Sequence, residues 1–529
     1  MGVTWTEASP DLTRNEKDKQ GKGGGPYTNE AVGAENYGTL AYVIESPSEK
    51  GVIWTGSDDG LVYVTRDGGA RWLNVTPPDL KECLINSIEV SPHDPATAYI
   101  ATTRYKFNDH TPGLYKTKDY GKTWTSINNG IPYGAFTRVV REDDQRRDLL
   151  FAGTETGIYI SMNGGMNWMP FNLNLPVTPI TDLRVHQGDM IAATSGRSFW
   201  ILDDLGLIRQ YQPIDNAMTL YQPEDTYLVN GSSDLDHTSS EFKGSQKSRG
   251  VNPATGIVLY YNLPELEASE VLTLEVADAS GKLIRSFSSV GDSTFSEWEG
   301  GPSEEPTLSK KKGLNRFVWN LRFPTIKGVA GVYIESNFDG HKAPPGKYTF
   351  TLKKGNQSMV TAARILPNPL YATSPKDYME YDELMTKMET EASKMHQMVN
   401  DLNDQRIRLE SVLQSLPADS KYDDLRKEGN ETIKKMKLWD EDMIQRKSKA
   451  YDDVENFPNK FTANYLFMVN QTESDMPKVN QPSLDRLKVL TAEWNTLQSM
   501  ANEITNKNLP DLNQKLWEAG IGAIGKSKK

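Results

Sequence analysis

Three stretches decide the fold: Thr65-Arg66-Asp67-Gly68-Gly69-Ala70-Arg71-Trp72, Thr117-Lys118-Asp119-Tyr120-Gly121-Lys122-Thr123-Trp124 and Ser161-Met162-Asn163-Gly164-Gly165-Met166-Asn167-Trp168. All three read S/T-x-D/N-x-G-x-x-W. Their tryptophans stand 52 and 44 residues apart, the length of a four-stranded antiparallel blade. Strand-like runs precede the turns, such as Val52-Ile53-Trp54-Thr55-Gly56 and Leu61-Val62-Tyr63-Val64, or Leu149-Leu150-Phe151-Ala152-Gly153 and Ile158-Tyr159-Ile160. They are rich in the β-branched and aromatic residues that pleated, half-buried strands favour. The turn chemistry is structural. A short carboxylate or amide accepts from backbone N–H groups a few residues on, Gly supplies positive φ, and Trp fills space between sheets. Residues 40–211 are therefore expected to be propeller blades, with Trp72, Trp124 and Trp168 buried between them. A fourth unit, Asp189–Thr194 and Ser198–Leu202, keeps the strands and lacks the turn motif.

At the other end, Gly2-Val3-Thr4-Trp5 matches the second half of the motif. Met1 then stands inside a repeat, so residues 1–211 are expected to be an N-terminally truncated propeller. Its open flanks would be covered by missing N-terminal blades or by self-association. Gly2 and Thr6 also fit a short N-myristoylation pattern, but the repeat accounts for the same residues. Residues 14–37 read as a long loop between blades, and residues 212–255 as a polar connector.

From 256 to 368, alternating runs at Ile257–Tyr261, Leu272–Val276, Asn315–Leu321 and Pro344–Leu352, separated by Gly and Pro turns, predict a β-sandwich. Beyond Ser374 the period becomes helical. Leu384, Met388, Met395, Val399, Leu402, Leu409, Val412 and Leu416 recur at three- and four-residue steps up to Pro417. Two further helices are expected, from about Lys421 to Met443 and from Pro482 onward, making residues 374–521 an α-helical bundle.

The chain has 529 residues, 37% hydrophobic and 25% charged, with a net charge of −12. That is enough for several ordinary cores. The negative balance disfavours nucleic acid as a partner. A single cysteine, Cys83, cannot form an internal disulfide. No window approaches the 18 or more apolar residues of a membrane span, and the first residues lack the pattern of a signal peptide.

Function is sought where chain direction brings side chains together. In a meander A-B-C-D, turns alternate between two faces. The repeated motif lies at C–D, so the B–C turns open on the opposite face. Those turns are Gly56–Gly60, Thr103–His110, Gly153–Gly157 and Thr194–Arg197. Asp58, Arg104, Tyr105, Arg138 and Arg197 are candidate binding residues there, the mixture of charge and aromatic surface that a sugar or peptide pocket uses. Asp59 and Glu155 are candidate catalytic carboxylates, since glycoside hydrolysis needs two flanking the bond. Arg104, Arg138 and Arg197 with Tyr105 do not follow the order a sialidase needs. Asp58-Asp59 and Asp203-Asp204 lack a calcium-loop pattern, the six histidines lack ligand spacing, and no phosphate loop or Ser-His-Asp arrangement stands out. No metal or cofactor is expected.

The repeated turns, Gly130-Ile131-Pro132 with Arg138–Asp143, and Gly196–Asp204 together resemble the Asp-box (BNR) propellers of the sortilin-like family. The whole chain is similar to the C-terminal half of large bacterial exported proteins, often labelled glycosyl hydrolases, whose propellers sit beside Ig-like modules. The resemblance implies an extracytoplasmic location, with the signal peptide lost along with the missing blades. It leaves two readings: a propeller that binds a peptide or glycan at its mouth, and a glycoside hydrolase of the sialidase or xyloglucanase-like class.

Overall fold

The computed structural model describes residues 4–20, 37–211, 217–237, 251–473 and 478–522. Gly2 and Val3 of the half motif, most of the loop expected at 14–37, and parts of the connector lie outside them. The chain divides into two compact units, Met1–Gln212 and Pro213–Lys529.

The first unit is a series of meanders. Leu40–Glu45 (β1), Ile53–Ser57 (β2), Val62–Thr65 (β3) and Leu73–Asn74 (β4) form one antiparallel sheet. Leu84–Val90 (β5), Ala98–Arg104 (β6), Asp109–Thr117 (β7) and Thr125–Ser126 (β8) form the second. The third comprises Thr137–Glu142 (β9), Leu150–Thr154 (β10), Gly157–Ser161 (β11) and Met169–Pro170 (β12). The fourth has three strands among the described residues, Ile180–His186 (β13), Asp189–Thr194 (β14) and Phe199–Leu202 (β15), before a short helix, Gly206–Gln210 (α1). Successive blades enclose apolar clusters: Trp54, Val62 and Val64 with Ile85 and Ile88, then Tyr99 and Leu114 with Val140 and Trp168, then Phe151 and Ile160 with Ile180 and Leu183.

The repeated turn has the same wiring three times. Thr65, Thr117 and Ser161 donate from Oγ to Asp67, Asp119 and Asn163 at 2.8, 2.8 and 3.0 Å. The same hydroxyls accept from the amides of Gly69, Gly121 and Gly165 at 3.0, 2.9 and 2.9 Å. The side chains of Asp67, Asp119 and Asn163 accept from the amides of Arg71, Thr123 and Asn167 at 2.9, 2.9 and 3.0 Å. These bonds hold the carboxyls of Asp67 and Asp119 below the usual range; the main causes are the Arg71 amide for the first and Thr123 for the second. The middle of the motif is left-handed, which suits Gly68 and Gly164 and is borne by Tyr120 at φ +58°.

The tryptophans differ from expectation in depth. Trp168 is buried at 4% exposure, whereas Trp72 and Trp124 are half-buried. Each uses its indole N–H rather than burial alone, donating to a carbonyl of the preceding segment: Ala8, Val75 and Ile127 at 3.0, 2.7 and 2.6 Å.

In the second unit, Thr219–Leu220 (β16), Ile257–Leu263 (β18) and Gly313–Trp319 (β21) form one sheet. Thr226–Tyr227 (β17), Leu272–Ala277 (β19), Leu283–Ser288 (β20), Gly346–Lys354 (β22) and Gln357–Leu366 (β23) form another. Both sheets contribute to one apolar cluster centred on Trp319, Phe317 and Phe350. The connector read from the sequence is thus partly structural, since β16 and β17 fall inside it; two-residue strands leave no period to read. Helices follow: Pro375–Ser415 (α2), Asp423–Met443 (α3), Phe461–Thr472 (α4), Gln481–Glu503 (α5) and Leu509–Glu518 (α6). Ser374 and Asp377 form the capping box that starts α2. The helical core also takes in Ile326, Val329, Val332, Ile334 and Phe338 from the segment after β21. His341, fully buried there, joins Glu389 at 2.9 Å and Asp382 at 3.0 Å, both on α2, and stacks on Phe323. Among the described residues no helix is long and apolar enough to cross a membrane.

Candidate functional site

Strand order puts the four B–C turns on the face opposite the repeated turns, and each sequence-nominated residue can be located there. In the first blade, Asp58 accepts from the amides of Gly38 and Thr39 at 3.0 and 2.8 Å, fixing the entry to β1. Asp59 is fully buried. One of its oxygens accepts from the Ser57 hydroxyl at 2.5 Å and the other from the Arg14 amide at 2.7 Å, while Arg14 Nε donates to the Asp59 carbonyl at 2.8 Å. This carboxylate ties an N-terminal loop to the blade.

In the second blade, Arg104 leaves β6 and pairs with Asp109 at 2.9 Å, with a further bond to the Glu82 carbonyl. Asp109 is held down at about 2, first by the Thr111 hydroxyl and then by Arg104. Between them Tyr105 starts a tight turn that closes at Asn108, φ +54°. The Tyr105 ring stacks on Phe136, with centroids 5.6 Å apart and planes at 22°.

Phe136 is the hub. It lies in the link to the third blade, and against it also rest His110 at 5.7 Å and the Arg138 guanidinium at 5.2 Å. Tyr133 meets His110 edge-on at 6.1 Å. Arg138 forks onto one oxygen of Glu155 from Nε at 2.9 Å and Nη2 at 2.7 Å. Two backbone bonds hold the link in place: the Gly134 amide donates to the His110 carbonyl and the Glu155 amide to the Phe136 carbonyl, both at 3.0 Å. Tyr105, His110, Tyr133, Phe136, Arg138 and Glu155 therefore form one continuous patch, with Tyr105 42% and Tyr133 69% exposed. Tyr105, Arg138 and Glu155 were legible in the sequence. The other three were missed; the signal was the aromatic pair in Pro132-Tyr133-Gly134-Ala135-Phe136, a link that opens on the same face as the B–C turns.

Arg197 in the fourth blade is exposed, its backbone fixed by Thr194 Oγ1 at 3.0 Å and Trp200 Nε1 at 2.8 Å. No described contact joins it to the patch.

Sequence reasoning also gave no role to Arg141. It is buried on β9 and donates to Asp182 at 2.7 Å, the Leu183 carbonyl at 2.7 Å and the Tyr42 hydroxyl at 3.2 Å, with Glu89 at 3.6 Å. Those partners lie on the first strands of the other three blades. Burial pushes Glu89 up to about 7 against the pull of Arg141, so Asp182 and the Leu183 carbonyl are the closer partners of the guanidinium. Cys83 is buried, and burial pushes its thiol up to about 12, which makes it a poor nucleophile.

No protein-family model matches the sequence, and no curated protein does. Among solved structures the chain is similar to YCF48 from Cyanidioschyzon merolae, at 17% identity over 43% of this chain and 67% of that one, with a TM-score of 0.25. It is also similar to the GH74 enzyme of Niastella koreensis, at 14% identity over 62% of this chain and 46% of that one, TM-score 0.26. The GH74 xyloglucanase from Xanthomonas campestris matches at 12% identity over 62% and 45%, TM-score 0.26. The chain spans less than half the length of these GH74 enzymes. Likeness at this level carries no substrate and no chemistry.

Proposed function

We propose that this is an extracytoplasmic recognition protein, whose propeller mouth binds a peptide or glycan through the aromatic patch centred on Phe136. In this reading the repeated turns are Asp boxes with a purely structural role, the propeller is of the sortilin-like class, and the two-sheet module is an Ig-like sandwich. The observation that carries it is the pair of exposed rings, Tyr105 and Tyr133, set beside the Arg138–Glu155 fork. Exposed aromatic surface next to an oriented charge pair favours a ligand with an apolar face and hydrogen-bonding edges. The glycoside hydrolase reading has less support. A hydrolase needs two carboxylates open to the bond, and both oxygens of Asp59 are engaged inside the protein while Glu155 is held by Arg138.

Glycan and peptide arrays probed with the full chain test the proposal. Tyr105→Ala and Tyr133→Ala are each expected to weaken an array hit by about tenfold or more, with the circular dichroism spectrum unchanged. Hits indifferent to both substitutions would overturn it. Turnover of a chromogenic glycoside that Glu155→Gln abolishes would restore the hydrolase reading.

A further inference from the structure

The C-terminal unit carries a recess of its own, of about 380 Å³, within the range of about 300–1,000 Å³ that small-molecule sites occupy. Val318, near the end of β21, supplies its apolar surface among the described residues; Asn230, Asn320, Arg322, Asn470 and Glu473 are among the polar side chains around it. The walls are fixed by bonds within the protein. Arg322 faces Lys342 across an antiparallel bridge, and its Nη1 donates to the Gly340 carbonyl at 2.7 Å and to Glu473 at 2.8 Å. Asn320 Oδ1 accepts from the Arg322 amide at 3.2 Å. At the end of α4, Asn470 Oδ1 accepts from the Ser336 hydroxyl at 2.7 Å and the Asn337 amide at 2.9 Å. Asp236 takes the Thr255 amide at 2.7 Å and its hydroxyl at 3.0 Å, and Lys342 donates to the Val229 carbonyl, so the segment that carries Asn230 is held at both ends.

That frame leaves a defined set of groups with capacity to spare. Among the described residues the side-chain amide of Asn230, the Asn320 Nδ2 group and Arg322 Nη2 make no hydrogen bond, and Glu473 uses one of its two oxygens. The charges in the lining balance: Arg322 and Lys342 stand against Asp236 and Glu473. Arg322 and Glu473 are also paired with each other at 2.8 Å. A ligand with a net charge therefore meets a like charge as readily as an opposite one, and a zwitterion has to open the pair. A hydroxyl group does neither, because it donates and accepts at once.

We propose that this recess binds a neutral sugar, with C–H groups of the ring against Val318 and neighbouring hydroxyls on Asn230, Asn320 and the Arg322–Glu473 pair. One hydroxyl bridges the pair, accepting from Arg322 Nη2 and donating to the unused Glu473 oxygen. The adjacent hydroxyls meet the amides, each of which offers a donor beside an acceptor. Because Arg322, Asn320 and Glu473 are already oriented by bonds within the protein, little ordering is left for the ligand to bring about. A small, mostly polar site of this kind binds a single sugar in the millimolar range, about −4 kcal/mol at 1 mM. The site lies in Pro213–Lys529, whereas the aromatic patch centred on Phe136 lies in Met1–Gln212, so neither reading depends on the other.

Saturation-transfer NMR on the full chain tests the proposal, with glucose, galactose, mannose and N-acetylglucosamine as probes and glycine and inorganic phosphate as charged competitors. The chain carrying Tyr105→Ala and Tyr133→Ala is measured beside the parent, which removes the mouth from the experiment. At least one of the four sugars is expected to bind both chains at about 1–10 mM and to resist displacement by either competitor. Asn230→Ala, at an exposed site with no protein bond to lose, should weaken that binding by about tenfold or more and leave the unfolding temperature of the free protein unchanged. Glu473→Gln should turn the preference toward phosphate, since it leaves the Arg322 charge unopposed. Four outcomes would each overturn the proposal: no binding of any of the four sugars up to about 10 mM, binding lost with the two tyrosines, binding indifferent to Asn230→Ala, or glycine or phosphate displacing the sugar from the parent. An unchanged preference in Glu473→Gln would count against it equally, by taking the ion pair out of the site.

Discussion

The blades and the C-terminal unit are held together in opposite ways. In each complete blade the turn is clamped within a single eight-residue motif, from Thr65 to Trp72 or from Ser161 to Trp168, and the clamp is used three times. In Pro213–Lys529 no such motif recurs among the described residues, and single bonds join segments far apart in the chain: His341 to Glu389 across 48 residues, Ser336 to Asn470 across 134 and Arg322 to Glu473 across 151. A local, repeated device tolerates the loss of one copy. A long-range, singular device is lost whole, because nothing nearby in sequence restores it.

That contrast can be broken or sharpened by measurement. The largest loss is expected at the most deeply buried of the motif tryptophans: Trp168→Ala removes a buried ring and its bond to Ile127, at a cost of about 3–5 kcal/mol, read by denaturant unfolding of the full chain. Trp124→Ala, half-buried, should cost clearly less, and equal losses would refute the depth difference between the two. Next comes the His341 clamp. Burial pulls this imidazole down, but Asp382 and Glu389 outweigh it and hold it at about 9, above its ordinary 6.5. A raised folded-state value means that the stabilisation is complete below pH 6.5 and lost as pH rises through 9. We expect the unfolding transition of the C-terminal unit to lose about 3 kcal/mol across that window, and His341→Gln to remove the pH dependence. A flat profile in the parent would show that the clamp is not charged. The smallest effect is expected at a local clamp: Asp119→Ala should cost about 1–2 kcal/mol, seen as a small drop in the blade transition. A loss as large as that of Trp168→Ala would mean that the turns, not the contacts between blades, hold the unit together.

The contrast also explains what was legible in the sequence. Bonds that close within eight residues impose residue types at fixed spacing, so the three turns and the meander direction are written in the residues alone. Helix α2 was legible for the same reason, its buried Met388, Met395, Val399, Leu402 and Leu409 following one helical stripe. Helix α4 was not. Its sequence, FTANYLFMVNQT, is apolar around most of its circumference, burying Phe461, Tyr465, Leu466, Met468 and Val469, and so shows no amphipathic period. Phe136 and Tyr133 were passed over because links between blades carry no spacing rule; the aromatic pair itself was in view, but its place beside Tyr105 and His110 comes from the ring contacts.

Asp59 and Glu155 separate the two kinds of knowledge most clearly. The sequence by itself determined that both occupy B–C turns, and strand parity determined that those turns share a face. It could not determine which carboxylate would stay at the surface. Asp59 is enclosed by Arg14, which is 45 residues away in sequence, while Glu155 meets Arg138 from the adjacent strand and remains partly exposed. Backbone direction follows from local hydrogen bonding and is written in short-range pattern. The environment of a charge is set by whichever distant segments pack over it, and only the tertiary structure decides that.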